Sequence, residues 1–164
     1  MLNDKYAVDV FQRQGRNTDS WEWEKDYTPI EFLTSKIGTG KNIAVSLALS
    51  TPIDEKGIYS VLGDDTTIYR LTIASPNRDF VTHPHVADDF IMKTHELLGQ
   101  IRHENGQIAE LHIFPAMPVS LAVRFGMNYM PKLYSPMLVY DYMQTMGFIP
   151  ALRIGGTYET EKRI

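Results

Sequence analysis

The sequence predicts an α/β fold, a Rossmann-like and mostly parallel sheet of about five core strands with helices on both faces. Three observations support this prediction. Short apolar runs, several of them rich in β-branched residues, alternate along the chain with segments of helical periodicity. Proline and capping residues begin the helical segments. The nearly continuous apolar first strand is typical of a parallel sheet covered on both faces, and right-handed crossovers then make the fold Rossmann-like.

The first part of the chain has the least readable pattern. We treat residues 1–27 as an N-terminal segment of uncertain structure, in which alternating apolar residues near the start allow a short strand. Thr28, Pro29 and Glu31 form the pattern of a capped helix start, with the proline at the first helical position. The sequence therefore predicts a helix from residue 28 to about residue 36.

From residue 43 onward, strands and helices alternate. The first strand is an almost continuous apolar run, as expected for a parallel strand that is covered on both faces. The five predicted core strands are 43–49, 66–74, 108–114, 137–142 and 148–154. The predicted helices are a short one that ends at Val61, a long one from Pro84 to about Asn105, and a third over 118–130. Residues 28–154 thus form one domain, followed by a loose C-terminal tail over 155–164.

Composition limits the classes of function. The chain has 164 residues, no cysteine and a formal net charge of −4. The lack of cysteine excludes structural disulfides and thiolate metal sites. Proteins that bind nucleic-acid polymers are usually basic, so we expect no such polymer as a partner. The sequence has no apolar run of about 18 residues and no signal-peptide core, so we expect a cytoplasmic protein without a membrane partner.

Motifs for catalysis, metal binding and triphosphate binding are not matched. Gly38 and Gly40 precede a strand and lack the spacing of a P-loop. The five histidines contain no H-E-x-x-H pattern, so we predict no metal site. Ser50 and Ser120 lack the flanking glycines of a nucleophile elbow. The sequence therefore predicts a binding protein that is not an enzyme and has no catalytic residues and no cofactor.

Parallel sheets covered by helices bind ligands in the crevice beyond the carboxyl ends of their strands. In this chain the loops at that edge are 50–53, 74–85, 114–119 and 140–147. The turn that leads from the third strand into the third helix is a good candidate, because a helix N-terminus attracts phosphate. The small side chain of Ala116 lets a ligand approach that turn closely.

The same turn lies within a longer motif. Residues 111–123 read LHIFPAMPVSLAV, and they are followed by Gly126, by Met130-Pro131-Lys132 and by LVYDY at 138–142. This succession resembles the signature of SAVED domains, a family of bacterial sensor modules. The resemblance extends over about Trp21 to Ile154 and is most specific in the stretch just quoted.

The resemblance implies a CARF-like fold and a place in bacterial anti-phage defence, in CBASS or CRISPR systems. SAVED domains consist of two fused CARF-like units, and residues 28–154 resemble the second, C-terminal unit. The family binds cyclic di-, tri- or tetranucleotides, which drive head-to-tail assembly and activate an effector. We therefore expect a cyclic oligonucleotide ligand, a SAVED-like partner or further copies of the chain, and an effector that is not in this chain.

Two alternative functions stay open at this stage. One is an oligomerisation scaffold whose ligand is bound by a partner chain. The other is an enzyme, either a ring nuclease-like protein or another nucleotide-using enzyme. An enzyme needs an acid–base or nucleophile set that converges at the ligand edge. A binder is stabilised against heat by its ligand, whereas a scaffold is not.

The ligand-edge loops and the resemblance together supply the candidate ligand-binding residues. Hydroxyl, arginine and histidine side chains in the first loops offer donors to a phosphate, and tyrosines at the end of the fourth strand offer stacking surfaces for a base. Core packing is the competing interpretation for one of the two tyrosines. For the lysine after the third helix two interpretations stay open, contact with the ligand of a neighbouring subunit or a solvated surface position. The candidates are Ser50, Thr51, Ser75, Arg78, His83, Pro115, Ala116, Met117, Ser120, Lys132, Tyr140, Asp141 and Tyr142.

Overall fold

The computed structural model describes residues 10–13 and 20–156. The helices and strands within these ranges are β1 (Phe32–Ile37), β2 (Asn42–Ala48), α1 (Glu55–Leu62), β3 (Thr66–Ile73), α2 (Pro84–Asn105), β4 (Leu111–Ala116), α3 (Val119–Met127), β5 (Met137–Met143) and β6 (Gly147–Ile154). The short strand allowed near the start of the chain and most of the predicted tail lie outside the described residues.

The strands form one sheet in the order β1-β3-β2-β4-β5-β6. Its four central strands, β3, β2, β4 and β5, run parallel to one another. The two edge strands are antiparallel to their neighbours, β1 to β3 and β6 to β5. The predicted α/β, Rossmann-like class is confirmed, with antiparallel pairing confined to the edges. The five predicted strands are all present, and the structure adds a sixth, β1.

The order of the strands determines which face each helix covers. The chain passes from β2 to β3 in one direction and from β3 across β2 to β4 in the other. Because crossovers between parallel strands are right-handed, α1 lies on one face of the sheet, and α2 and α3 lie on the opposite face. The two hydrophobic clusters agree with this arrangement. Ile58 of α1 belongs to one cluster, and Phe90 of α2 and Leu121 of α3 belong to the other.

Strand β2 is buried on both faces, as its apolar sequence predicts. Val45 and Leu47 belong to the cluster under α2 and α3, whereas Ala44 and Ala48 belong to the cluster under α1. The small alanines leave space on the α1 side for the large ring of Phe114 from the neighbouring strand β4. The sheet therefore has a bulky face and a shallower face, and the single short helix α1 covers the shallower one.

The predicted helix over residues 28–36 is wrong, because this part of the chain contains the edge strand β1. Phe32 pairs with Ile73 and Ile37 pairs with Ile68, so β1 covers the outer edge of β3. An uncovered edge would leave a row of backbone donors and acceptors of β3 unpaired. The Thr-Pro-x-Glu pattern is only a local signal, and the pairing of distant segments outweighs it.

The three helices predicted after β2 are confirmed, with shifted ends. α1 begins at Glu55, because Asp54 is its N-cap and the Asp54 carboxylate accepts a hydrogen bond from the Lys56 N–H at 3.0 Å. α2 begins at Pro84, as predicted. α3 ends at Met127, about one turn earlier than expected. None of the helices in the described ranges is long and apolar enough to span a membrane.

A polar cluster joins the end of α2 to the edge of the sheet. The Glu104 carboxylate accepts hydrogen bonds from Lys36 Nζ, Gln100 Nε2 and the Tyr69 hydroxyl, each at 2.7 Å. These three donors stabilise the charged carboxylate and lower the pKa of Glu104 to about 2. The hydrogen bond from Lys36 makes the largest contribution. The cluster thereby ties β1 and β3 to the helix that covers them.

Gly40 lies in the turn between β1 and β2. A Cβ atom at this position would lie 2.0 Å from the carbonyl carbon of Asp65 and 2.0 Å from the backbone nitrogen of Thr66. Both distances are far below van der Waals contact, so a side chain fits only if the backbone moves. The turn that contains Gly40 joins the strands β1 and β2.

Candidate functional site

Three loops meet at the carboxyl edge of the sheet, where the order of the strands reverses direction between β2 and β4. The Ala116 carbonyl at the end of β4 accepts hydrogen bonds from the Leu49 and Ser50 N–H groups, at 2.8 and 2.7 Å. The Leu49 carbonyl in turn accepts one from the Asn77 N–H, at 3.0 Å. These bonds hold the loops after β2, β3 and β4 against one another.

The loops after β2 and β3 present polar side chains at this edge. Ser50 is half-buried, and Thr51 beside it is exposed. The loop after β3 exposes Ser75 and Arg78. Asn77 shapes that loop, because its side-chain amide donates to the Ser75 carbonyl at 2.8 Å and its side-chain oxygen accepts from the N–H two residues later at 2.9 Å. The structure thus brings these four candidate residues to the same edge.

The turn from β4 into α3 is the centre of this edge. Pro115, Ala116 and Met117 are half-buried there. α3 begins directly after Pro118, whose side chain has no polar group that could cap the helix. The first N–H groups of a helix have no partner within the helix. In α3 the Leu121 N–H donates to the Pro118 carbonyl at 3.0 Å, so this end of the helix contributes chiefly its partial positive charge at the edge of the sheet.

Ser120, in the first turn of α3, lines a cavity of about 280 Å³. The residue is 2% exposed, and its Oγ has no hydrogen-bond partner among the described residues. Its backbone N–H donates to the side-chain oxygen of Gln12 at 3.4 Å. The segment 10–13 therefore lies against the start of α3. Buried hydroxyls in proteins normally have a hydrogen-bond partner, and a bound ligand could supply the partner here.

His83 stands at the same edge, at the start of α2. Its Nδ1 accepts a hydrogen bond from the His85 N–H at 3.2 Å, which makes His83 the N-cap of the helix. The Tyr27 ring lies 5.4 Å from the His83 ring and 5.3 Å from the His85 ring. The Tyr27 hydroxyl donates to the Asp89 carboxylate, and this bond raises the pKa of Tyr27. The structure therefore gives His83 a capping role, whatever its part in ligand binding.

These histidines are also the nearest approach to a metal site. The His83 and His85 rings lie 4.8 Å apart, and His85 Nδ1 lies 3.4 Å from the Asp88 carboxylate. Over residues 10–13 and 20–156, however, no three histidine or acidic side chains are grouped so that they could hold a metal ion. The helix cap and its ion pair account for the arrangement.

The two tyrosines of β5 have different environments. Tyr140 is buried, with its ring stacked on Phe114 at 4.5 Å and its hydroxyl 3.0 Å from His112 Nδ1. Burial raises the pKa of Tyr140 and lowers that of His112. Tyr142 is 60% exposed, and its N–H donates to the exposed Asp141 carboxylate at 2.8 Å. Core packing therefore applies to Tyr140, whereas Asp141 and Tyr142 stay accessible.

Lys132 lies at the opposite edge of the sheet, in the loop between α3 and β5. It lines a cavity of about 620 Å³ together with Arg102 near the end of α2 and the loops that precede β4 and β5. The Arg102 guanidinium donates to the Leu133 carbonyl at 3.3 Å. The structure therefore separates Lys132 from the other candidate residues and gives it a basic surface of its own.

The cavity around Ser120 contains residues that sequence reasoning did not select. Phe11, Asp88 and Arg124 line it, and Arg124 forms an ion pair with Asp88. The spacing of four residues between Ser120 and Arg124 places both on one side of α3 and was a usable signal. No local pattern connects Phe11 to α3, because the two lie in distant parts of the chain.

The sequence of this chain matches the model of a known protein family. The family model of the SAVED domain, the SMODS-associated and fused to various effectors sensor domain, matches residues 1–154. The chain belongs to the SAVED family. The match includes residues 1–27, for which the sequence pattern alone indicated no definite structure.

Solved SAVED receptors share the fold of this SAVED chain. The Acinetobacter baumannii Cap4 SAVED/CARF-domain containing receptor with the cyclic trinucleotide 2′3′3′-cAAA matches with a TM-score of 0.55 and 15% identity, over 79% of this chain and 28% of the receptor chain. The receptor with 3′3′3′-cAAA matches with a TM-score of 0.53 and 14% identity, over 77% of this chain and 28% of the receptor. The SAVED chain thus spans little more than a quarter of the length of these receptors. No curated protein matches it.

Proposed function

We propose that this SAVED chain is a sensor module that binds a cyclic oligonucleotide second messenger at the carboxyl edge of its parallel strands. The observation that carries the proposal is the contact of Ala116 with Leu49 and Ser50, because it joins the loops on both sides of the strand-order reversal into one surface. The Cap4 receptors of the same fold, which hold cyclic trinucleotides, support this class of ligand.

The turn between β4 and α3 supplies the contact for a phosphate of the ring. The N-terminal end of α3 offers partial positive charge, and the small Ala116 allows an approach to the backbone. The neighbouring loops at the same edge carry the hydroxyls of Ser50, Thr51 and Ser75 and the exposed guanidinium of Arg78. A cyclic oligonucleotide carries one phosphate per nucleotide, so a set of donors along one edge suits it.

The end of β5 supplies contacts for a base or ribose. The exposed ring of Tyr142 is available for stacking, and its edge-on contact with Phe148 at 5.1 Å supports its position. The Asp141 carboxylate next to it can accept hydrogen bonds from a ribose hydroxyl or a base amino group. Tyr140 supports this end of β5 through packing, since its buried ring stacks on Phe114 of β4.

We further propose that the messenger drives head-to-tail assembly and activates an effector outside this chain, in cytoplasmic anti-phage defence. The ligand edge and the Lys132 edge lie at opposite ends of the parallel strands. A second copy stacked in the same direction would therefore bring its Lys132 edge towards the ligand of the first. The basic character of that edge, with Arg102 beside Lys132, fits an anionic ligand.

Ligand binding is tested by thermal unfolding and calorimetry with a panel of cyclic di-, tri- and tetranucleotides. A ligand at a hundred times its dissociation constant adds about 2.7 kcal/mol of stability, which raises Tm by about 5–10 °C in a chain of this size. Ala116→Trp should weaken the binding, because its ring fills the approach to the turn. Ala109→Trp, the same change just before the opposite end of β4, is the control that should keep it.

The outcomes separate the three functions. A Tm that no member of the panel raises would contradict the sensor and favour a scaffold. Conversion of the ring to a linear product, detected by chromatography, would favour an enzyme. Equal affinities of Ala116→Trp and Ala109→Trp would place the ligand elsewhere on the molecule.

Assembly is tested by light scattering at a saturating concentration of the best ligand. A head-to-tail contact does not close on itself, so the mass should grow with protein concentration when ligand is present. Lys132→Glu should stop the growth without changing the affinity of the first ligand, because Lys132 lies away from that edge. A mass that stays at one chain in the wild type would refute the assembly and leave ligand binding intact.

A further inference from the structure

We propose that the cavity around Ser120 is a subsite for one nucleobase of the messenger, with the rings of Phe11 and Trp23 as its stacking wall. The inference rests on the proposed function, which supplies the class of ligand. The cavity lies beside the turn proposed to bind phosphate, because Ser120 in the first turn of α3 forms part of its lining.

One wall of the cavity is aromatic. The rings of Phe11 and Trp23 are nearly parallel, at 19° with centroids 6.2 Å apart. Trp23 is half-buried and packs against the larger hydrophobic cluster, and the Glu24 N–H beside it donates to the Thr82 carbonyl at 2.9 Å. The loop before α2 therefore fixes the position of Trp23. Phe11 is 54% exposed and presents an aromatic surface where a base can stack.

The facing wall is polar. Arg124 and Asp88 form an ion pair there. Within the described part of the chain, Ser120 Oγ and Arg124 Nε are buried and have no hydrogen-bond partner. The edge of a nucleobase carries both N–H donors and lone-pair acceptors, and this wall offers partners for both. A base that enters the cavity would satisfy polar atoms that the free protein leaves unpaired.

Charge and size both favour a base over a phosphate in this cavity. The ion pair of Asp88 and Arg124 has no net charge to attract a phosphate, whereas its carboxylate can accept a hydrogen bond from a neutral ring. The volume of about 280 Å³ is at the lower limit for ligand pockets, which suits one base and not a whole cyclic oligonucleotide. The phosphates then stay outside, at the turn between β4 and α3.

The stacking contact is tested by tryptophan fluorescence, since the chain has only two tryptophans, Trp21 and Trp23. Trp21→Phe leaves Trp23 in the cavity wall as the only reporter. Trp23→Phe leaves Trp21, which is not part of the cavity lining. Titration with cyclic trinucleotides should quench the emission of Trp21→Phe strongly and that of Trp23→Phe little.

The contribution of the aromatic wall is measured by calorimetry on Phe11→Ala. Loss of one stacking partner should weaken the binding of the cyclic trinucleotide by about 5- to 150-fold. Leu152→Ala on β6 is the matched control, because Leu152 is 56% exposed and lies far along the sheet from the cavity. Circular dichroism should show that both variants keep the wild-type fold.

The outcomes distinguish this subsite from the proposed function as a whole. Tight binding of a cyclic oligonucleotide with no effect of Phe11→Ala and no quenching of Trp23 would overturn the subsite and leave the sensor function standing. If no cyclic oligonucleotide binds, AMP, GMP, CMP and UMP serve as probes of the cavity. Quenching of Trp23 by one of them, lost in Phe11→Ala, would support the subsite alone, and no response to any probe would overturn both proposals.

Discussion

Ser120→Ala is expected to stabilise the free SAVED chain and at the same time to weaken its binding of a nucleotide. The residue is 2% exposed, and its Oγ has no hydrogen-bond partner among the described residues. An unpaired buried hydroxyl costs about 1–3 kcal/mol, and alanine removes the hydroxyl from the first turn of α3 without breaking the helix. We expect the free energy of unfolding to rise by about 1 kcal/mol, which corresponds to about 2–4 °C in Tm.

Ser46→Ala is the matched control for this experiment. Ser46 is fully buried in β2, its Oγ also has no partner in the described part of the chain, and it does not line the cavity. Both variants should melt at a higher temperature, but only Ser120→Ala should lose affinity for a cyclic oligonucleotide in calorimetry. A lower Tm for Ser120→Ala would mean that its hydroxyl is already satisfied in the free protein. An unchanged affinity would mean that the hydroxyl does not touch the ligand.

Three further predictions concern the fold that holds the site. Tyr140→Phe should lower the stability by about 1 kcal/mol, through loss of the bond to His112, and should leave ligand affinity unchanged in calorimetry. Glu104→Gln should lower Tm at pH 7. The two proteins should then converge as the pH falls from 4.5 towards 2, because the lowered pKa of Glu104 stabilises the fold only while the carboxylate is charged. Gly40→Ala should destabilise by about 3 kcal/mol or more in urea unfolding, whereas Gly99→Ala, with open space around it within α2, should stabilise by about 0.5–1 kcal/mol.

The central sheet could be predicted from the sequence because each of its strands carries its own signal. β2 is buried on both faces and reads as a continuous apolar run. The edge strand β1 carries no such signal, since Phe32 is its only buried residue and its partner strand β3 follows more than twenty residues later. This strand forms because it pairs with a strand that is distant in the sequence. Local sequence patterns do not contain that pairing and therefore cannot predict the strand.

One part of the candidate site could be predicted from the sequence, and the other part could not. The turn around Ala116 follows from topology, because the reversal of strand order must lie at the carboxyl ends of β2 and β4 once the order of the elements is known. The cavity beside it could not be predicted, because Phe11 comes from the N-terminal segment and Arg124 from α3. Its polar wall depends on an ion pair between α2 and α3, which requires the packing of two helices.

The walls of the cavity come from segment 10–13 and from α3, so a ligand that touches both walls depends on how these two parts of the chain pack together. A base that touches both Phe11 and Arg124 binds only the arrangement in which segment 10–13 lies against α3. The Ser120 N–H donates to the Gln12 side-chain oxygen at 3.4 Å, and the Phe11 ring stacks on the Trp23 ring. A base that stacks on Phe11 adds to these contacts and favours the same arrangement of the segment. The affinity for a base in the proposed subsite therefore depends on the fraction of molecules in which segment 10–13 lies against α3.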